Sequence, residues 1–125
     1  MPIRHTVYHP DRLIVGVASG DTTLMEFAKF TREIERAGLL HYRKIIDVAN
    51  SRPVFSQQEL RALAQFVRET RCERKRGALA IVADPQRSEF ARIFSGIDID
   101  KRPAKVFTSI HDARKWISEN TPPDE

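Results

Sequence analysis

The run GALAIVA at residues 77–83 contains no polar side chain. A segment this short and this uniformly apolar reads as a strand buried on both faces, and such a strand needs cover above and below it. In a chain of 125 residues that cover has to come from helices packed on a sheet. The helices are legible on either side of it. Leu24, Phe27, Phe30 (or Thr31) and Ile34 recur at helical spacing within residues 20–38, after a Thr-Leu-Met-Glu capping pattern and before Gly38, a C-terminal stop. Leu60, Leu63, Ala64 and Val67 give a second helix one apolar face. Asp84 and Pro85 offer an N-cap and a first-turn proline to a third, with Phe90, Ile93, Phe94 and Ile97 as its stripe. Ser-Ile-His-Asp at 109–112 opens a fourth, carrying Ile110, Ala113, Trp116 and Ile117.

The remaining segments are strands. HTVYH (5–9) alternates, PDR follows as a turn, and LIVGVAS (13–19) closes a hairpin. YRKIIDVA (42–49) and AKVFTS (104–109) are short β-branched runs. The predicted order is β-β-α-β-α-β-α-β-α: a single α/β domain over residues 1–120, with a disordered tail at 121–125. Its five-stranded sheet is mostly parallel, with one antiparallel N-terminal strand and four helices.

Composition bounds function. Hydrophobic residues at 41% and charged ones at 30% suit a globular chain, and the single cysteine, Cys72, excludes an internal disulfide. The opening residues lack a signal-peptide core, and no apolar run approaches the roughly 20 residues that span a bilayer, so a cytoplasmic location without membrane insertion is expected. Residues 61–76 hold six basic and two acidic side chains, a surplus equal to the whole net charge of +4. No aromatic residues interleave with the basic run RCERKR, so it reads as cations favoured at a helix C-terminus rather than as a nucleic-acid site.

The pattern resembles the STAS domains, and within them the SpoIIAA-like proteins of the anti-sigma factor antagonist type. LIVGVASGDTTLMEFAKF is similar to the family's second strand and first helix. KIIDVANSRPVFSQQEL is similar to its central strand with an aspartate, here Asp47, and the loop into the next helix. AKVFTSIHDARKWI is similar to the closing strand and helix. The resemblance implies a bacterial, non-enzymatic regulatory module that binds a protein partner. In phosphorylatable members a serine or threonine at the start of the second helix is the acceptor, which Ser56 matches by place, with Ser51 nearby. The acceptor usually follows an aspartate; here Phe55 precedes Ser56 and Gln57 follows it.

In open sheets of this kind ligands sit beyond the C-terminal ends of the parallel strands. Three loops meet that condition: 19–22, 49–56 and 83–87. The candidate partner- or ligand-binding residues are Ser19, Asp21, Asn50, Arg52, Phe55, Asp84 and Arg87. Free N–H groups at helix starts, with Arg52 and Arg87, would alternatively hold a small anion such as a nucleotide or a lipid head group. The middle loop is long for such a connection, which marks a recognition surface, or else a staple formed by Pro53, Val54 and Phe55. Ser56 with Glu59 also forms a capping pattern.

No cofactor, metal or catalytic residue is expected. Ser19 in GVASG falls one place late for a nucleophile elbow, His5 and His9 lie on a strand and its turn, and no phosphate-loop or dinucleotide fingerprint exists. Asp47 reads as a strand-end residue that binds backbone amides or else as a site carboxylate, and Trp116 as core, or as a partner surface if exposed. A second copy is a further candidate partner through the first strand, whose charge and neighbouring prolines work against pairing.

Overall fold

The computed structural model of the chain describes residues 3–69, 77–84 and 104–120. Its elements are β1 (Arg4–Tyr8), β2 (Leu13–Thr22), α1 (Leu24–Arg36), β3 (Arg43–Pro53), α2 (Gln57–Glu69), β4 (Leu79–Val82), β5 (Ala104–Phe107) and α3 (Ile110–Glu119). One sheet runs β1-β2-β3-β4-β5, with β1 antiparallel to β2 and the other neighbours parallel. There are three helices among the described residues. The predicted helix bearing Phe90, Ile93, Phe94 and Ile97 lies outside them, as do Arg87, Cys72, the basic run 71–76 and the tail. The side chains of Leu63, Ala64 and Val67 also lie outside the described set.

Strand β4 behaves as its composition demands. All four residues are buried, Leu79 and Ile81 toward one apolar cluster and Ala80 and Val82 toward another. The first cluster takes Phe27, Phe30 and Ile34 from α1 and Leu60 from α2; the second takes Ala113 and Ile117 from α3. Helices α1 and α2 therefore share one face, as expected of crossovers that step the same way across a sheet, and α3 covers the other. Trp116 is half-buried at the margin of that second layer, its ring tilted on Phe107 at 5.6 Å.

The ends of α1 are set locally. Thr23 and Glu26 form a reciprocal capping box, with Glu26 N–H donating to Thr23 Oγ1 at 3.2 Å and Thr23 N–H to Glu26 Oε1 at 2.8 Å. At the other end Gly38 adopts φ +73°, Gly38 N–H donates to the Glu35 carbonyl, and Leu39 N–H reaches back to Ile34. That double closure is a Schellman motif, and its positive φ suits glycine. Ser109 caps α3 by accepting from His111 N–H and Asp112 N–H. No helix among the described residues is long and apolar enough to cross a membrane.

Candidate functional site

The loops expected at 19–22 and 49–56 are mostly strand. β3 pairs with β4 only as far as Asp47 opposite Val82, whereas β2 and β3 continue together to Thr22 opposite Pro53. The two strands thus overrun the sheet as a parallel ribbon made of 19–22 and 50–53. The overrun begins at a bulge: Val17 faces Asp47 and Ser19 faces Asn50, so Val48 and Ala49 oppose the single residue Ala18. Asp47 holds this irregularity together, its Oδ1 accepting from Ala49 N–H at 3.0 Å. That matches the backbone-binding role expected of Asp47.

Alternation along the ribbon divides the candidate residues. Asn50 and Arg52 are exposed and Ser51 is buried between them, while Ser19 and Asp21 are exposed opposite the first two and Thr22 is buried. The Ser51 hydroxyl donates to the Gly20 carbonyl at 2.9 Å, which leaves the Thr22 hydroxyl to donate to Ser51 Oγ. Ser51 is therefore a fastener inside the ribbon. It is 3% exposed, so its hydroxyl is closed to a kinase in the folded chain, which counts against Ser51 and for the exposed Ser56 as an acceptor.

Arg52 and Asp21 are register partners and meet in a two-pronged ion pair, Nε to Oδ1 and Nη2 to Oδ2, each at 3.2 Å. Both side chains are about 60% exposed, so the pair contributes at most about 1 kcal/mol to stability. It does engage the guanidinium that was expected to meet an anion. The helix starts are engaged as well. Ser56 N–H donates to Glu59 Oε1 at 2.9 Å and Glu59 N–H to Ser56 Oγ at 3.1 Å, a second reciprocal box matching that of Thr23 and Glu26. Each positive helix end next to the ribbon carries its own carboxylate.

Phe55 was expected in the binding loop. It is instead 9% exposed and stands edge-on to Phe27 at 5.5 Å. It precedes the N-cap Ser56 and shares the core with Leu60, four residues beyond that cap, which is the hydrophobic staple geometry. The turn before α2 shrinks to residues 54–56, with Val54 N–H tied to the Thr22 carbonyl at 2.9 Å. Asp84 follows β4 and is half-buried at the foot of the ribbon, two residues past Val82.

Two apolar side chains stand in solvent on this end: Met25, which the sequence reading did not single out, and Val54, which the expected staple of residues 53–55 would have covered. Met25 is 78% exposed in the first turn of α1, and Val54 is 52% exposed beside the staple. The signal for Met25 in the sequence is that it falls off the apolar stripe of α1, whereas Val54 lies in the turn between β3 and α2. At the opposite end of the sheet the basic side chains are turned onto backbone carbonyls, although Arg43 Nε is buried without a hydrogen-bond partner among the described residues. Arg43 donates to the carbonyls of Ile117 at 2.7 Å, Asn120 at 3.3 Å and Asp11 at 2.7 Å, closing the C-terminus of α3. Burial lowers the Arg43 pKa, and Asp11 opposes that shift. Lys44 donates to the carbonyls of Leu40 and Tyr42, and His9 Nδ1 lies 2.8 Å from the Tyr42 hydroxyl. Among the described residues no group of three or more His, Cys, Asp or Glu side chains is placed to hold a metal ion.

This arrangement of sheet and helices recurs in a solved structure. An uncharacterized DUF3478-family protein from Shewanella loihica PV-4, described as having a SpoIIAA-like fold, matches with a TM-score of 0.58 over 92% of this chain and 91% of that one. The fold is SpoIIAA-like. Sequence identity to that protein is 19%, so the likeness is one of fold. No protein-family model matches the sequence, and no curated protein matches it either. In the SpoIIAA-like frame the ribbon and the starts of α1 and α2 lie beyond the C-terminal ends of the parallel strands, the edge at which open α/β sheets bind.

Proposed function

We infer that this chain is a non-enzymatic interaction module that docks a protein partner at the β2–β3 ribbon and the adjoining helix starts. The observation that carries this reading is the exposure of Met25 and Val54 at the end of the sheet that also carries the exposed Asp21–Arg52 pair. Apolar side chains ringed by polar ones are the composition of a protein interface, with the ion pair on its rim. An anion would find less here. Arg52 already has a carboxylate, and Glu26 and Glu59 each take the N-cap N–H and place a negative charge at the helix start, where it would repel an anion. Regulation would act through Ser56, whose side chain is exposed. A phosphate on it would gain from the start of α2 and be repelled by Glu59, so it would alter the rim of the docking surface without unfolding the cap.

The test compares the native chain with Met25→Glu and Val54→Glu by crosslinking mass spectrometry in lysate of the source organism. A partner whose crosslinks map to the ribbon, and whose recovery falls about tenfold or more with either substitution, supports the reading. Crosslinks elsewhere, or recovery indifferent to both substitutions, would overturn it. Intact mass and peptide mapping of the chain from the same cells decides whether Ser56 carries the phosphate.

A further inference from the structure

The two edges of the sheet are treated differently. On one side, β5 carries Lys105, exposed and with its Nζ 5.6 Å from the centre of the Phe107 ring. A charged lysine on an edge strand is a common protection against pairing with another chain. On the other side, β1 carries one arginine, Arg4, at its first position, so the charge that the sequence counts against pairing is confined to one end of the strand. Its five residues contain neither lysine nor proline, and its register with β2 is unbroken from Arg4 opposite Val17 to Tyr8 opposite Leu13. Pro2 and Pro10 flank the strand without interrupting it. Among the described residues β1 is the terminal strand, so its outer row of N–H and C=O groups is open.

Charge at this edge is balanced. A groove of about 370 Å³ runs between β1 and α1 over Phe30, and its charged walls are Arg4 and Lys29 against Glu26 and Glu33. The net charge of +4 is accounted for by residues 61–76. Two copies approaching through β1 therefore meet without net repulsion at the contact.

The strand is also complementary to itself. Antiparallel pairing about Thr6 sets Arg4 of one copy opposite Tyr8 of the other, twice, and His5 opposite Val7, twice. Arg4, Thr6 and Tyr8 all point to the exposed side of the strand, and Tyr8 is 43% exposed, so its ring is free to receive the guanidinium.

We propose that two copies of this chain associate through β1, antiparallel about a two-fold axis at Thr6, to form one continuous sheet. The contact is isologous and closes at two copies. Because β1 runs against β2, and against its own mate, the two β2–β3 ribbons point in opposite directions, and the dimer presents two docking edges, each beginning two residues past the register partner of Arg4.

Sedimentation velocity from micromolar to millimolar concentration tests this, independently of whether any partner is found. The native chain is expected to move from one chain mass to two. Thr6→Lys and Thr6→Glu, each at an exposed position, are expected to weaken that association at least about tenfold by placing like charges face to face on the two-fold axis. An equimolar mixture of the two variants is expected to restore it as a heterodimer, since Lys then faces Glu. Circular dichroism confirms that each variant is folded. A single chain mass throughout overturns the proposal, and so does a dimer indifferent to both substitutions. A mixture that associates no better than its components overturns the register.

Discussion

Phe55 decides between two accounts of the segment before α2, because a partner-binding residue and a core residue respond oppositely to truncation. In the structure its ring is edge-on to Phe27 at 5.5 Å with an interplanar angle of 81°, and it is 9% exposed. Removing a buried phenyl group to alanine costs about 3–5 kcal/mol. Phe55 sits at the helix start rather than at mid-sheet, where the turn can partly collapse into the space, so the low end applies: about 3 kcal/mol. Roughly 0.5–1.5 kcal/mol of that belongs to the ring pair itself. The assay is urea unfolding of the native chain, Phe55→Ala, Phe27→Leu and the double variant. The midpoint is expected to fall with the slope unchanged for Phe55→Ala, and the cycle is expected to return a coupling of about 1 kcal/mol. Val54→Ala, one residue earlier and half-exposed, is expected to stay within about 0.5 kcal/mol. A loss below about 1 kcal/mol for Phe55→Ala would refute the argument. Phe55 would then be only loosely seated, and the expectation of a binding role would return.

Gly77→Ala is expected to lower stability by about 2–3 kcal/mol in the same assay. An added Cβ would meet Tyr42 O at 2.3 Å and Arg43 N at 2.7 Å, both backbone atoms, so β4 would have to shift away from β3. Ser56→Ala is expected to cost about 1 kcal/mol and Ser56→Asp only a few tenths, because aspartate caps as well as serine does. If Ser56→Asp proved as costly as Ser56→Ala, the reciprocal box with Glu59 would not be what holds the start of α2.

What the sequence disclosed and what it hid follow from the range of the interactions involved. The capping boxes at Thr23–Glu26 and Ser56–Glu59, the stop at Gly38 and the doubly buried run of β4 are each written within a few consecutive residues, and each is present as read. The β2–β3 ribbon was read as loop because Gly20, Asp21, Asn50, Ser51 and Pro53 are all turn formers locally. It is strand because pairing across residues about 30 apart, sealed by Ser51, Thr22 and the Gly20 carbonyl, outweighs that preference. Arg43 and Gly77 were missed for the same reason. One matters through α3, far along the chain, and the other through the backbone of Tyr42. The candidate site suffered most, since it is built on the segment where local and long-range signals disagree.

The polarity of the fold then argues for where function lies. At the strand N-terminal end, arginine and lysine are spent on backbone carbonyls: Arg43 on three and Lys44 on two. At the other end the anion-binding devices typical of α/β sheets are occupied by this chain's own Glu26, Glu59 and Asp21, while Met25 and Val54 are left in solvent. A site meant for a phosphate would invert both choices, leaving the helix starts open and covering the apolar side chains. On the proposed reading a protein surface would complete this arrangement, because such a partner would supply apolar cover for Met25 and Val54 and tolerate a neutral, internally paired rim.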